Sequence, residues 1–274
     1  MPRRRDAVDG AVREPTRDAV GPAQAQQITW ILKLPMKGTI NAIMDEEVEC
    51  FPRELDLRIE ARHLKKQRLY QKRHGLEIAI PVVVDELSSS SVLTQTFLTG
   101  TTMGNCDVSD PLVRQKAIDA CKDITHAIGV TLFRERFFHA DPHPGNIMLV
   151  GEELKPGLID FGQCTTLTKP QLRTVCQLVV LLRTRSQTLI DQALRGSGFG
   201  FNTEDPELKL ALLYYFFDSS TTGSGVVRPE AMEILKDAIQ HKPASMPVLT
   251  DTPREMVFYG RVCGTLRKSF EKLN

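Results

Sequence analysis

Hydrophobic positions along the chain recur mainly at the spacing of α-helices. Residues 28–75 predict helical structure that Pro35 interrupts, and from Asp45 onward the apolar positions mark one long amphipathic helix. Residues 111–138 predict a second long helix with Asp110 as its N-cap. Further helical stretches are expected in the carboxyl-terminal part of the chain, at 169–194, 206–217, 229–240 and 252–273.

Short strand-like runs lie between these helices. Residues 77–84 and 92–98 are rich in apolar and β-branched side chains, and the serines between them predict a turn. Two further runs, 147–150 and 157–159, predict a hairpin. Helices and strands together predict an α+β fold that is mostly helical. The glycine-rich segment 196–200 follows a helix and not a strand, so we expect a helix C-cap and a turn there.

Composition refines this picture and sets several function classes aside. Residues 1–27 combine charge, proline and glycine with almost no large apolar residue, and therefore predict disorder. The whole chain has 35 basic and 34 acidic residues, so no overall positive field favours nucleic acid. No apolar run approaches the length of about 18 residues that predicts a transmembrane helix. The 6 cysteines lack CxxC spacing and are expected to be reduced thiols.

Two short polar stretches carry the clearest chemical signal. The first is His-Ala-Asp-Pro-His-Pro-Gly-Asn at 139–146, and the second is Asp-Phe-Gly-Gln at 160–163. The predicted hairpin would bring Asp141, Asn146 and Asp160 to one of its ends. Phosphoryl transfer uses such a set, with one carboxylate that receives or orients a hydroxyl and a second carboxylate and a carboxamide that hold Mg²⁺. The spacing from Asp141 to Asn146 is that of a kinase catalytic loop.

A small metal site is an alternative interpretation of the first stretch. The pattern His-x-Asp-x-His at His139, Asp141 and His143 offers ligands for zinc or iron. However, Pro142 and Pro144 would splay these side chains, and no further cluster of ligands is evident. His143 is more simply interpreted as a structural residue of the loop, so phosphoryl transfer is the favoured hypothesis.

HADPHPGN followed by LIDFGQ resembles the UbiB/ADCK family of atypical kinases, which is tied to ubiquinone and other prenyl-quinone metabolism. The resemblance implies a protein-kinase-like fold with ATP and Mg²⁺ as cofactors. It implies that Asp141 is catalytic and that Asn146 and Asp160 are metal ligands. The implied reaction is ATP-dependent phosphoryl transfer or ATP hydrolysis in support of prenyl-quinone metabolism, with a prenyl-quinone lipid or quinone-biosynthesis proteins as partners.

The acids of the first long helix acquire a role only through this resemblance. Residues 52–61 resemble the family's Glu-x-Asp motif followed by Glu-Ala. Carried over, Glu54, Asp56 and Glu60 are cofactor-binding residues, and Glu60 matches the glutamate that pairs with a lysine of the third strand. Without the resemblance these acids would be assigned to a solvated helix face. The many basic residues of this helix also favour a solvated face, with peripheral contact to anionic lipid as an alternative.

The chain departs from the family pattern in its first part. No Lys-x-Gly-Gln motif, Ala-rich nucleotide loop or Val-Ala-Val-Lys strand precedes the Glu-x-Asp segment. Glu60 is therefore expected to be unpaired and to face solvent, or to find a substitute base, for which Lys33 is the first candidate. The resemblance covers roughly residues 28–274, and it implies a truncated N-lobe at 28–100 and a helical kinase-like C-lobe at 101–274.

Three interpretations of function follow from this departure. The chain is an atypical kinase or ATPase, a pseudokinase or scaffold that acts by binding partners, or the product of a truncated gene model. The intact acids of the two polar stretches favour chemistry, whereas the missing lysine and loop favour a scaffold. The family resemblance implies a mitochondrial or plastid location, although Asp6, Asp9 and Glu14 in the arginine-rich start do not suit a transit peptide.

Overall fold

The computed structural model of the chain describes residues 55–184, 190, 194, 196–218, 229–241 and 249–273. These residues belong to two compact units, one ending at Cys164 and the other beginning at Thr165. Helices predominate in both units and short strands lie between them, so the predicted α+β, mostly helical class is confirmed. The disorder predicted for residues 1–27 and the helical structure predicted for 28–54 lie outside the described residues.

Helices and strands are interspersed along the described part of the chain. The helices are α1 (Leu57–His74), α2 (Pro111–Glu135), α3 (Lys169–Thr184), α4 (Pro206–Phe217), α5 (Pro229–His241) and α6 (Arg254–Leu273). The strands are β1 (Gly100–Thr102), β2 (Phe137–His139), β3 (Ile147–Val150), β4 (Lys155–Leu158), β5 (Cys164–Thr166), β6 (Gly200–Phe201) and β7 (Leu249–Asp251).

Helix α1 begins at Leu57 because Asp56 caps it. The Asp56 backbone is extended, with φ −100° and ψ 92°, and its side chain accepts a hydrogen bond from the Arg58 N–H. Gly75 ends the helix in the left-handed conformation, with φ 63°. The prediction of one helix running unbroken through this position is therefore wrong at Asp56, which lies outside the helix and starts it.

The prediction of two strands after α1 is wrong, because the two segments form no regular strand and pair through an isolated antiparallel bridge between Val83 and Gln95. The Val84 N–H donates to the Thr94 carbonyl at 2.8 Å. A 3₁₀ turn at Asp85–Leu87 precedes the serines that connect the two segments. The first segment also contacts β4, because the Ala79 carbonyl accepts from the Leu158 N–H at 2.9 Å.

Helix α2 leads directly to the candidate site. Asp110 is its N-cap, as predicted, and Asp110 Oδ1 accepts from the Leu112 N–H at 2.8 Å. The helix ends at Glu135, and Arg136 takes the left-handed conformation with φ 57°. The prediction that the helix continues to residue 138 is wrong, because Phe137–His139 form β2 with all three side chains buried.

Strands β1, β3 and β4 form an antiparallel sheet in the order β1-β3-β4. The β3–β4 register pairs Ile147 with Leu158 and Val150 with Lys155, which confirms the predicted hairpin. Its second strand is Lys155–Leu158, slightly earlier than the predicted 157–159. The first polar stretch ends next to Ile147 and the second begins two residues after Leu158, so they lie at the same end of the hairpin.

The second unit is built of helices with one short strand pair, β6 and β7. Helix α4 has the predicted bounds, and α5 and α6 differ from prediction by one or two residues at the ends that are described. Gly196 and Gly198 have φ values of 70° and 85°, as expected for a C-cap and turn. Within the described residues, none of the helices combines the length and the apolar character needed to cross a lipid bilayer.

Candidate active site

The first polar stretch forms a tight loop between β2 and β3. The His143 N–H donates to the Asp141 carbonyl at 2.9 Å, and the Asn146 N–H donates to the His143 carbonyl at 2.8 Å. The His143 ring also supports the loop, because Nδ1 accepts from the Gly145 N–H at 3.0 Å. These contacts explain why His143 is a structural residue of the loop, as predicted from the sequence.

Asn146 connects this loop to the second polar stretch. It is only 5% exposed, and its Nδ2 donates to the Asp141 carbonyl at 3.1 Å. The Asn146 carbonyl accepts from the Ile159 N–H at 3.0 Å. Because the amide nitrogen is committed to the loop, the amide oxygen is the atom that can face a ligand.

Asp160 occupies a strained turn directly after β4 and Ile159. Its φ is 62°, a conformation that few non-glycine residues adopt, although aspartate tolerates it better than most. The Asp160 carbonyl accepts from His139 Nε2 at 2.7 Å, and Asp160 Oδ1 accepts from the Gly162 N–H at 3.3 Å. A residue in such a conformation costs about 1–3 kcal/mol and persists only when its surroundings determine it.

Hydrogen bonds link the three predicted site residues in a closed ring, which we call the site ring. Asn146 binds the Asp141 carbonyl through its side chain and the Ile159 N–H through its carbonyl. Asp160 follows Ile159 and binds His139 Nε2, while His139 Nδ1 accepts from the Asp141 N–H at 3.2 Å. The structure thus brings Asp141, Asn146 and Asp160 together and fixes their backbones relative to one another.

His139 is a member of the site ring and is 1% exposed. A carbonyl can only accept, so Nε2 carries the proton donated to Asp160 and Nδ1 is the acceptor. Burial lowers the pKa of His139, and the hydrogen bond to the Asp160 carbonyl opposes this effect only in part. The imidazole of His139 is therefore neutral at physiological pH.

The alternative interpretation of His139, Asp141 and His143 as a zinc or iron site is wrong. Both nitrogens of His139 have backbone partners, so neither is left to bind a metal ion. In the part of the chain that the structure describes, no group of three or more His, Cys, Asp or Glu side chains is placed to hold a metal.

Glu60 reaches the same turn from helix α1. Its Oε1 accepts from the Phe161 N–H at 3.0 Å. The expectation that Glu60 would be unpaired and face solvent is therefore wrong, because a backbone amide binds its carboxylate. The Phe161 side chain is fully buried, and its ring lies edge-on to His139 with 5.0 Å between the ring centroids. Lys33, the substitute base expected for Glu60, lies outside the described residues.

Asp56 has a different environment at the start of α1. Asp56 Oδ1 accepts from Arg58 Nε and Asp56 Oδ2 from Arg58 Nη2, both at 2.8 Å. The hydrogen bond from the Arg58 side chain lowers the pKa of the Asp56 carboxyl. None of the contacts described for Asp56 joins it to the site ring. Glu54 lies outside the described residues, so cofactor binding by Glu54 and Asp56 stays a prediction.

The sequence pattern alone does not mark two residues that adjoin the turn. His63 Nδ1 lies 2.9 Å from the Phe161 carbonyl, and burial lowers the pKa of His63. Cys164 follows the turn, and loss of hydration raises the pKa of its thiol well above the usual value. The spacing of three residues from Glu60 to His63 places both on one helix face and could have identified the histidine. Nothing in the sequence around Cys164 identifies the cysteine.

A family model for the ABC1 atypical kinase-like domain matches residues 23–194, which is more than half of the 274-residue chain and includes the whole site ring. The chain belongs to this family. The resemblance to UbiB/ADCK atypical kinases, inferred from HADPHPGN and LIDFGQ, is thereby confirmed.

Curated relatives of this ABC1 chain include two proteins named as kinases. AarF domain-containing protein kinase 1 of Xenopus tropicalis is 26% identical over 238 residues, covering 82% of this chain and 44% of the relative. "Atypical kinase COQ8B, mitochondrial" of Danio rerio is 30% identical over 138 residues, covering 49% of this chain and 22% of the relative. The aligned part of this chain thus spans less than half the length of either relative.

Among solved structures, the ABC1 chain is similar to Rv3197 of Mycobacterium tuberculosis, determined in complex with erythromycin. The match covers 92% of this chain and 63% of that chain, with a TM-score of 0.56 and 19% sequence identity. At this identity the likeness shows the fold alone. Together with the family match, it confirms the predicted kinase-like fold.

Proposed function

We propose that this ABC1 chain takes part in ATP- and Mg²⁺-dependent phosphoryl transfer or ATP hydrolysis. The observation that carries the proposal is the site ring, which fixes Asp141, Asn146 and Asp160 around one buried histidine. Phosphoryl transfer depends almost entirely on positioning and electrostatic stabilisation. A closed ring of hydrogen bonds supplies the positioning. In this proposal Asp141 is the catalytic residue, and Asn146 and Asp160 are the metal ligands.

The side-chain oxygens of Asn146 and Asp160 suit Mg²⁺ as ligands. This ion prefers hard oxygen ligands and is commonly held by one or two protein groups together with substrate phosphates. The Asn146 nitrogen is committed to the loop, so the amide presents its oxygen, and Asp160 adds a carboxylate. His139 would be a softer ligand, but both of its ring nitrogens are already engaged in hydrogen bonds. The bound cation would supply positive charge against the phosphate oxygens.

Asp141 would orient the attacking hydroxyl or receive its proton. Its backbone is held on both sides, because its N–H binds His139 and its carbonyl binds Asn146 and His143. The distance from Asp141 Oδ2 to His143 Nε2 is 3.9 Å, too long for a hydrogen bond. The loop therefore fixes the Asp141 backbone, and the carboxylate would accept a hydrogen bond from a substrate hydroxyl.

The remaining cofactor-binding acids are proposed in two roles. Glu60 would act on the site through the Phe161 amide, which adjoins the metal-binding turn. Glu54 and Asp56 would contribute to cofactor binding as the family resemblance implies.

The cellular role proposed is support of prenyl-quinone metabolism, including ubiquinone, in the mitochondrion or plastid. The support is the family match and the relatives, one of which carries the word mitochondrial in its name. A prenyl-quinone lipid or quinone-biosynthesis proteins would be the partners. The exposed basic residues of α1, such as Arg62, Lys65 and Lys72, would allow peripheral contact with a membrane.

The experiment that tests this proposal is calorimetric titration with ATP and Mg²⁺ up to millimolar concentrations. Asp160→Asn removes the charge of one proposed metal ligand, and a charged contact contributes on the order of 1.5–3 kcal/mol, so we expect affinity to fall about tenfold to a hundredfold. Asp123→Asn is the matched control, because Asp123 is exposed on α2 and the charge change is the same. Binding without Mg²⁺ should differ little between wild type and Asp160→Asn.

Two results would count against the proposal. Equal Mg²⁺-dependent binding by wild type and Asp160→Asn would remove Asp160 as a metal ligand. No Mg²⁺-dependent binding by the wild-type chain would favour the pseudokinase or scaffold alternative, in which the site ring serves only the fold.

A further inference from the structure

Helix α1 holds both polar backbone groups of Phe161. Glu60 Oε1 accepts from the Phe161 N–H at 3.0 Å, and His63 Nδ1 lies 2.9 Å from the Phe161 carbonyl. Since a carbonyl oxygen only accepts, Nδ1 of His63 must be the protonated nitrogen and the donor. Phe161 directly follows Asp160, so the two side chains of α1 hold the residue next to the strained turn.

The His63 ring is held in place independently of this hydrogen bond. Its centroid lies 5.8 Å from that of the buried Phe137 ring, at an interplanar angle of 53°. One helical turn separates His63 from Glu60, so both side chains leave the same face of α1. The donor on His63 is therefore presented by a rigid element and by a packed ring, which favours precise placement of the Phe161 carbonyl.

The turn needs such support because its backbone adopts an unfavourable conformation. Asp160 has a φ of 62°, and His139 fixes the carbonyl on one side of the Asp160–Phe161 peptide bond while Glu60 fixes the N–H on the other. These contacts leave the next carbonyl, that of Phe161, to be fixed by His63. Without that contact the Phe161–Gly162 peptide could rotate, and the Gly162 N–H, which donates to Asp160 Oδ1 at 3.3 Å, would move with it.

We propose that His63 is a positioning residue, which holds the Asp160 turn in its metal-binding conformation by donating to the Phe161 carbonyl. The metal-binding part of this inference rests on the proposed function, whereas the effect on the turn does not. His63 touches neither nucleotide nor metal in this scheme and acts only through the backbone.

Four variants separate the hydrogen bond from the packing. His63→Leu introduces an apolar side chain of similar size and removes the donor. His63→Asn retains a side-chain N–H close to the position of Nδ1, whereas His63→Asp has the same shape as the asparagine variant and no donor when ionised. The control His126→Leu changes an exposed histidine on α2.

Amide hydrogen exchange at Phe161 and Gly162 is the first measurement, and it needs no ligand. We expect exchange to be at least about tenfold faster in His63→Leu and His63→Asp, with wild-type rates in His63→Asn and His126→Leu. Protection within α1 should stay at the wild-type level in His63→Asn and His63→Asp, which shows that the helix itself is intact. If His63→Leu fails to fold, the asparagine and aspartate variants decide the question.

The second measurement is affinity for ATP with and without Mg²⁺. We expect His63→Leu and His63→Asp to lose about tenfold in the Mg²⁺-dependent affinity alone, with rescue by His63→Asn. Unchanged exchange at Phe161 in both donor-free variants, or no difference between His63→Asn and His63→Asp, would overturn the inference. Faster exchange in a chain that binds no nucleotide at all would sustain the role of His63 in the turn and reject the proposed function instead.

Discussion

Replacing His139 by phenylalanine tests whether the buried histidine holds the site ring together through its hydrogen bonds. Phenylalanine keeps an aromatic ring against Phe161, where the ring centroids of His139 and Phe161 are 5.0 Å apart. It has no nitrogen for the Asp160 carbonyl or for the Asp141 N–H. Both backbone groups would lose their histidine partner in a setting from which water is excluded, since His139 is 1% exposed.

The size of the effect follows from these contacts. Leaving a buried donor or acceptor without its partner costs about 1–3 kcal/mol. The contact to the Asp160 carbonyl is 2.7 Å and that to the Asp141 N–H is 3.2 Å, so the second should contribute less. We therefore expect the free energy of unfolding to fall by about 2–4 kcal/mol, less than the whole stability of a typical domain.

The pH dependence provides a second signature. Burial lowers the folded-state pKa of His139 below its ordinary value of about 6.5. The unfolded chain then binds a proton more readily than the folded one, so this stabilisation is complete above about pH 6.5 and decreases as pH falls toward the lowered pKa. His139→Phe removes this contribution, so the stability of the variant should fall less steeply than that of the wild type as the pH is lowered. The pKa of His63 is also lowered, so part of the loss of stability at low pH should persist in His139→Phe.

The assay is urea unfolding followed by circular dichroism at pH 8 and pH 5.5. His126→Phe is the control, because His126 is exposed on α2 and the substitution is the same. We expect this control to change stability by no more than about 0.5 kcal/mol. A His139→Phe variant with wild-type stability and wild-type pH dependence would refute the central role of His139, as would an equal loss in the control.

Three further predictions concern the caps and the nucleotide. Asp110→Ala should destabilise the chain by about 1 kcal/mol in urea unfolding, because the α2 N-cap is lost, and an unchanged midpoint would contradict this. Gly75→Ala should cost about 1–2 kcal/mol in the same assay, because φ is 63° although no neighbouring atom lies within 4 Å; equal stability would reject backbone strain as the reason. Residues 1–274 should bind ATP–Mg²⁺ about tenfold to a hundredfold more weakly than a kinase with a strand-three lysine, since the sequence has no motif for that lysine or for the phosphate-covering loop. Micromolar affinity with turnover that depends on Asp141, measured by calorimetry and an ATPase assay, would show another phosphate clamp.

The site ring could be predicted in outline because its first polar stretch is rich in residues that disfavour regular secondary structure. Two prolines, a glycine, an asparagine and an aspartate within 139–146 leave little room for a helix or a strand. The apolar runs on either side then predict the hairpin that brings Asn146 and Asp160 to one end. The hydrogen bonds of His139 could not be predicted, because they depend on which backbone groups face its ring after folding.

The end of α2 shows a different limit of sequence reasoning. Arg136 takes a left-handed conformation that usually calls for glycine, so no glycine or proline marks the end of the helix. The two phenylalanines that follow are apolar and suit a helix or a strand equally well. Burial of Phe137 and Phe138 at 0% and 1% exposure decides for the strand, and burial is a property of the whole fold.

The pKa of the Cys164 thiol is affected by two carboxylates near the Asp160 turn. Loss of hydration raises the pKa of its thiol first, and the charges of Glu60 and Asp160 raise it further, while Lys66 opposes them. Both carboxylates therefore act on the Cys164 thiol, and so does the Lys66 ammonium with the opposite sign. Negative charges held close together in a fixed backbone repel one another, and a divalent cation relieves this repulsion more effectively than water does. In the proposed function, a cation bound at Asp160 would relieve part of this repulsion, while Glu60 and His63 contact the turn through the backbone of Phe161.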